Sequence, residues 1–316
     1  MQRRSFIKES TVAAAAIVGS PLFSRRLDAT PSPEDKVSVN SFPHLTVDSK
    51  IRLFYKDWLP MSSSGKRPRN VLFVHSWALN SDMWQYQMNF LCERGIRTLA
   101  YDRRGHGRST DSGSGYDFDS LADDMSTFIE QLDLREVILV GHSMGCAEIV
   151  RYLSRHGDSR VARIALVAPS LPFSLKTADN PQGIDQRALY QVRSAISHDF
   201  PKWLAENAPH FFRSDTTPGI IDWGIGMCYL TSMRALIGTN IADTETDFRA
   251  ELHHIRRPTL VIHGDSDEMA PLDFCGRRTA ALVPGSSLKV YEGAPHGVFI
   301  THMNRLNEDL ESFIRG

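Results

Sequence analysis

Ten residues constrain this chain more than any others: Glu136-Val137-Ile138-Leu139-Val140-Gly141-His142-Ser143-Met144-Gly145. The Val/Ile/Leu run is the kind found in a strand buried on both faces of a parallel sheet. It leads into Gly-x-Ser-x-Gly, and a helical pattern follows from Cys146 to Arg155. A serine between strand and helix sits on a sharp, strained turn that presents its hydroxyl beyond the strand end. Gly141 and Gly145 fit that geometry because a Cβ at either position would strike the neighbouring strand or helix. The plain alternative is a glycine-flanked turn with an ordinary surface serine. The flanking strand and helix argue against it.

Around this segment the chain alternates strand-like and helix-like patterns. Two strand-like stretches lie near Val37–Val47 and Ile51–Leu59, with a polar turn at Ser62-Ser63-Ser64-Gly65-Lys66. Val71–Val74 reads as a buried strand, Asp82–Arg94 as a helix stopped by Gly95, and Arg97–Tyr101 as another strand. The loop Asp102–Ser109 lacks a Gly-x-x-x-x-Gly-Lys phosphate pattern and reads as structural. In the next helix Phe118, Leu121, Ala122, Met125, Phe128, Ile129 and Leu132 share one face, and Asp117 and Asp119 stand at its start. Val161–Val167 is a further strand. From Ser170 to about Phe248 the alternation stops, and aromatics with helix-like pieces suggest a helical cap with exposed aromatics. It resumes with Thr259–His263, a helix near Pro271–Leu282, the strand Leu288–Tyr291 and a last helix from about Arg305 to Ile314. Repeated β-then-α order predicts an α/β fold: a mostly parallel central sheet flanked by helices on both faces, with an inserted helical cap at about 170–248. In such sheets ligands bind beyond the carboxyl ends of the strands.

Composition mainly excludes. A net charge of −1 over 316 residues gives no electrostatic reason to expect a nucleic-acid partner. Cys92, Cys146, Cys228 and Cys275 show neither C-x-x-C nor zinc-ligand spacing and read as small apolar side chains. The start of the chain stands apart. Arg3-Arg4-Ser5-Phe6-Ile7-Lys8 precedes the apolar run Val12–Val18, and this resembles a twin-arginine export signal, with cleavage expected near Ala29. Residues 1–29 are therefore expected to be a signal and 37–316 the folded domain, exported to the periplasm or secreted. The apolar run is too short to leave a stable membrane span. Oligomeric state is left open.

A serine hydroxyl needs a base to take its proton, and that base is usually a histidine oriented by a carboxylate. Two late loops offer the partners in the order Ser, Asp, His: His263-Gly264-Asp265-Ser266-Asp267 and Gly293-Ala294-Pro295-His296-Gly297. His296 is the expected base. Asp265 and Asp267 compete to orient it, and one of them is expected to be a turn-forming carboxylate bonded to its own loop. His142, His263, His253 and His254 are assigned structural roles, since none has metal-ligand spacing. The N–H groups of Met144, after the nucleophile, and of Trp77, after the third strand, are the expected oxyanion donors.

From about residue 50 to 316 the chain resembles the cofactor-free haloperoxidase (perhydrolase) and aryl-esterase branch of the α/β-hydrolases. The resemblance rests on Tyr55-Lys56-Asp57-Trp58, Asp102–Ser109, Gly115-Tyr116-Asp117-Phe118-Asp119, Gly141–Gly145, Thr246-Asp247-Phe248-Arg249, the two late loops, and Asn307-Glu308-Asp309-Leu310. It implies Ser143 as nucleophile, His296 as base and Asp267 as the orienting carboxylate, with no haem or metal. Two positions depart from the branch: His75-Ser76-Trp77-Ala78 has Ser76 where glycine is usual, and Ala78 lacks the proline associated with perhydrolysis. Hydrolysis of small esters is therefore the first expectation. Peracid formation from a carboxylic acid and peroxide is the second, and a non-catalytic binding protein on this fold the third.

Overall fold

The structure, a computed structural model, describes residues 43–60 and 68–316. The expected signal, most of the first strand-like stretch and the turn at 62–66 lie outside the described residues. Two strands open the described part: β1, His44–Asp48, and β2, Ile51–Trp58. Next come β3, Asn70–Val74, and α1, Gln85–Cys92, then β4, Arg97–Tyr101, and α2, Phe118–Gln131. The central unit is β5, Val137–His142, and α3, Met144–His156, followed by β6, Val161–Val167. Helices α4, Gln186–Phe211, α5, Pro218–Cys228, α6, Met233–Glu245, and α7, Arg249–Leu252, fill the interval before β7, Thr259–Gly264. The chain then runs through α8, Gly276–Leu282, β8, Ser287–Tyr291, α9, Val298–Thr301, and α10, Met303–Arg315.

The eight strands form one sheet in the order β1-β2-β4-β3-β5-β6-β7-β8. The β1–β2 and β2–β4 pairs are antiparallel, and all pairs from β4 to β8 are parallel. β5 is buried along its whole length, as its uninterrupted apolar run requires. One apolar cluster packs α2 and α3 on one face of the sheet. A second packs α1, α10 and the cap helices on the other. Asp117 caps α2 by accepting the Ser120 N–H at 2.9 Å, which accounts for its place just before the apolar stripe.

Several sequence-based boundaries shift for local reasons. The helix expected over Asp82–Arg94 begins as a 3₁₀ turn, Ser81–Trp84, because the Asn80 side chain accepts the Asp82 N–H and tightens the first turn. Of the segment Pro271–Leu282, only the part from Gly276 is α-helical. Helix α4 breaks at Asp199 (φ −154°, ψ 80°), two residues before Pro201, where the ring cannot continue the hydrogen-bond ladder. The Asp199 carboxylate then caps the second half by accepting the Lys202 N–H at 3.0 Å. The aromatics expected to be exposed divide: Phe173, Phe200 and Phe212 are buried, while Tyr190 and Tyr229 remain exposed.

Candidate active site

Ser143 lies between the end of β5 and the start of α3 with φ +53° and ψ −120°, a conformation that costs a non-glycine residue about 1–3 kcal/mol. The surroundings enforce it. The Ser143 N–H donates to the Val167 carbonyl at 3.0 Å, tying the turn to the adjoining strand. A Cβ on Gly145 would come within 2.5 Å of the Val74 oxygen, and one on Gly141 within 2.7 Å of the Gly145 backbone. Both glycines are thus required by close approach of strand and helix, as the sequence implied.

The two late loops meet at the same edge of the sheet. Asp265 N–H donates to Tyr291 O, Ser266 N–H to Ala294 O, and Gly293 N–H to the Asp265 carboxylate at 2.7 Å. A Cβ on Gly264 would come within 1.9 Å of the Ala294 oxygen, so glycine is the residue that lets the loops touch. The competition between the two aspartates is settled by which way each faces. Asp265 is exposed and laces the loops together. Asp267 is buried, and its Oδ2 accepts His296 Nδ1–H at 2.7 Å. Both carboxylates bond backbone amides, so the expectation of one turn-forming and one orienting group was too simple. The Oδ1 of Asp267 takes the N–H groups of Met269 and Ala270 at 3.0 and 2.8 Å.

Burial opposes ionisation of Asp267. The field of His296, hydrogen bonds from the His263 and His296 side chains and the Ala270 amide outweigh it, and hold the carboxyl well below the usual aspartate range. With Nδ1–H committed to a carboxylate, the neutral imidazole of His296 carries its lone pair on Nε2. The phenyl ring of Phe211, at the end of α4, packs nearly perpendicular to this imidazole with ring centroids 5.4 Å apart, and the Phe211 carbonyl accepts Gly297 N–H at 2.8 Å. The cap thus braces the histidine loop from outside.

Two histidines assigned structural roles in the sequence prove to touch this pair. His142 Nε2–H donates to the His296 carbonyl at 2.9 Å, with ring centroids 4.8 Å apart, so the residue before Ser143 is bonded to the residue expected to be its base. Burial and the neighbouring His296 lower the His142 pKa to about 3, keeping it neutral. His263 Nε2–H lies 2.7 Å from the Ala270 carbonyl and 3.2 Å from Asp267 Oδ2. Spacing alone places both residues in strand β5 or β7, and nothing in the local sequence shows what they face across the sheet edge.

The loop after β3 carries Trp77. Among the described residues no backbone carbonyl outside the helices and strands accepts the N–H of Trp77 or of Met144. Ala78 has φ +60°, and Leu79 N–H donates back to Trp77 O at 2.8 Å, closing a strained three-residue turn. The cap holds this turn: Trp77 Nε1–H donates to Leu236 O at 3.0 Å, and Thr231 Oγ1–H to Ala78 O at 2.8 Å. Ser76 is buried, and its N–H meets the Met83 sulfur at 3.4 Å. Beneath the loop, the buried Arg103 guanidinium binds Glu148 at 2.5 Å and the carbonyl of His75 at 2.8 Å.

The four cysteines are free thiols. Among the described residues no group of three or more His, Cys, Asp or Glu is arranged to hold a metal ion, and no helix is long and apolar enough to cross a membrane.

Residues 71–309 match the alpha/beta hydrolase family. A non-heme chloroperoxidase from Kitasatospora aureofaciens is 36% identical over 279 residues, covering 86% of this chain and 99% of the relative. A bifunctional esterase/perhydrolase from Acinetobacter calcoaceticus is 35% identical over 282 residues, covering 86% and 99%. Among solved structures, a bromoperoxidase from Bacillus anthracis superposes with a TM-score of 0.82 at 31% identity, covering 87% of this chain and all of that one.

Proposed function

The chain belongs to the alpha/beta hydrolase family, in the branch of non-heme haloperoxidases and esterase/perhydrolases, and on that premise we propose that it is a serine hydrolase of small carboxylic esters working through an acyl-enzyme. The observation that carries this reading is the His296–Asp267 hydrogen bond, in a loop whose His296 carbonyl is bonded by the side chain of His142, the residue before Ser143. In the proposed cycle Ser143 Oγ attacks the ester carbonyl as His296 Nε2 takes its proton. The oxyanion forms against the N–H groups of Trp77 and Met144, each such donor contributing about 3–4 kcal/mol to the transition state. His296 hands the proton to the departing alcohol. A water, deprotonated by the same imidazole, then releases the acid and restores Ser143. Asp267 keeps the imidazole in the tautomer that leaves Nε2 free, and it stabilises the imidazolium that forms in each step.

The names of the relatives support a second reading, in which hydrogen peroxide replaces water and the acyl group leaves as a peracid that oxidises halide. Ala78 bears on the balance. Proline is locked near φ −65°, so it cannot adopt the +60° found at this turn. The turn as built therefore belongs to a chain without proline here, and hydrolysis ranks first. We further read residues 1–29, with Arg3-Arg4 ahead of the apolar run, as an export signal, which would make this a periplasmic or secreted enzyme acting on small molecules.

The test is a panel of 4-nitrophenyl esters of graded acyl length, assayed with and without peroxide, beside monochlorodimedone halogenation in acetate buffer. Hydrolysis is expected to dominate. Ala78→Pro is expected to lower it by about 10²-fold, because the Trp77 amide moves with the refolded turn. Halogenation faster than hydrolysis in the wild type would reverse the two readings, and an unchanged Ala78→Pro would remove the role given to the turn.

A further inference from the structure

Helix α6 crosses the carboxyl edge of the sheet with two contacts on one face. Leu236 O takes the Trp77 indole, and two turns further on Asp243 Oδ1 accepts Ser170 Oγ–H at 2.7 Å. Ser170 follows β6, whose last residue, Val167, accepts the Ser143 N–H. Asp243 therefore stands over the strand end next to the elbow. The charged groups whose fields reach it are Arg103 and His296, and its own field reaches the thiols of Cys146 and Cys275.

The Ser170 bond occupies one oxygen of this carboxylate and does not account for its charge. Asp243 lies in the last turn of α6, where the helix dipole disfavours negative charge. Arg103, the arginine whose field reaches it, is committed to Glu148 and to the carbonyls of His75 and Ser76. Among the described residues no protein donor reaches Asp243 Oδ2. The side chain is only partly covered, and burial pushes its carboxyl up to about 6. A carboxylate that loses part of its hydration costs free energy unless another group satisfies it.

We propose that Asp243 is the substrate-recognition carboxylate of this site: Ser170 fixes one oxygen, and the other receives a hydrogen-bond donor, hydroxyl or ammonium, carried by the ester. The inference rests on the serine-hydrolase reading and narrows its substrate class to esters with a polar donor a few bonds from the scissile carbonyl. A site built to bond a donor discriminates strongly against the analogue that lacks it, because its own polar group is then left unpaired.

Two matched series test this by initial rates in a pH-stat. The acyl series is methyl 3-hydroxybutanoate, methyl 3-aminobutanoate and the isosteric methyl 3-methylbutanoate; the alcohol series is 2-hydroxypropyl acetate against isobutyl acetate. The wild type is expected to prefer a donor-bearing ester over its isostere by at least about tenfold in kcat/KM in one series. Asp243→Leu is expected to abolish or invert that preference. If an ammonium is preferred, Asp243→Asn is expected to lose that preference, because the amide carries no charge. Each preference is a ratio within one sample, so a partly unfolded variant does not distort it. Wild-type hydrolysis of the plain esters with no donor preference in either series, or a preference that survives Asp243→Leu, would overturn the assignment of Asp243 alone. Failure of the wild type to hydrolyse any of these esters, or 4-nitrophenyl acetate, would overturn the serine-hydrolase reading and this inference with it.

Discussion

Ser143→Ala is expected to lower the turnover number for 4-nitrophenyl acetate by about 10⁴- to 10⁶-fold while leaving the protein folded. Removing the nucleophile of a working triad abolishes the covalent route altogether. What survives is the modest acceleration from binding and the oxyanion donors. The substitution itself is mild: Ser143 is buried, its backbone N–H ties the turn to Val167, and alanine keeps both that N–H and the Cβ that the strained backbone already carries. Steady-state kinetics on freshly purified protein, with circular dichroism to verify folding, give the comparison. Activity within a few-fold of wild type would mean that the reaction runs elsewhere in the protein.

The second large effect is expected at Asp267. Asp267→Asn keeps the size of the side chain but replaces an acceptor-only group with one that can donate. His296 then loses the partner that fixes its Nδ1–H, and a fall in kcat of about 10⁴-fold is expected. The same residue has a signature in acid that does not depend on catalysis. Its carboxyl is held below the ordinary aspartate value of 3.8, so between those two values the unfolded chain binds more protons than the folded one. Its contribution to stability is complete above about pH 4 and is lost as pH falls toward the depressed value. Wild-type melting temperature is therefore expected to drop more steeply with acid below pH 4 than that of Asp267→Asn. Parallel curves for the two proteins would contradict the charge state assigned to the pair.

The scaffold was legible because its signals are local. Val137–Val140, Ile164–Val167 and Leu260–Ile262 are buried apolar runs, and the stripe from Phe118 to Leu132 has an unambiguous helical period. Gly141 could be read for the same reason, since it answers to Gly145 four residues on, whereas Gly145 answers to the Val74 carbonyl of a neighbouring strand and was read from the motif. Facing directions were not legible in the local pattern, and only the family resemblance singled out Asp267, whose carboxylate the structure places on His296. Asp265 and Asp267 stand two residues apart in one loop, and only the packing of His263 and of the Met269 and Ala270 amides turns the second inward. The roles of His142 and His263 depend on contacts across 154 residues in one case and on a reverse turn in the other. Asp243 carried no signal at all, because its place over Ser170 is set by the angle at which α6 crosses the sheet. Pro201 marks a break in α4, but that Asp199 would recap the second half follows from a side-chain rotamer.

The central claim is that Ser143 is a nucleophile activated by His296. Incubating the wild-type protein with a fluorophosphonate probe and mapping the adduct by peptide mass spectrometry tests this most directly. The account predicts one adduct, on the Ser143 peptide, with loss of esterase activity in step with labelling. An active protein that leaves Ser143 unlabelled, or an adduct on a different side chain that tracks the loss of activity, would contradict it.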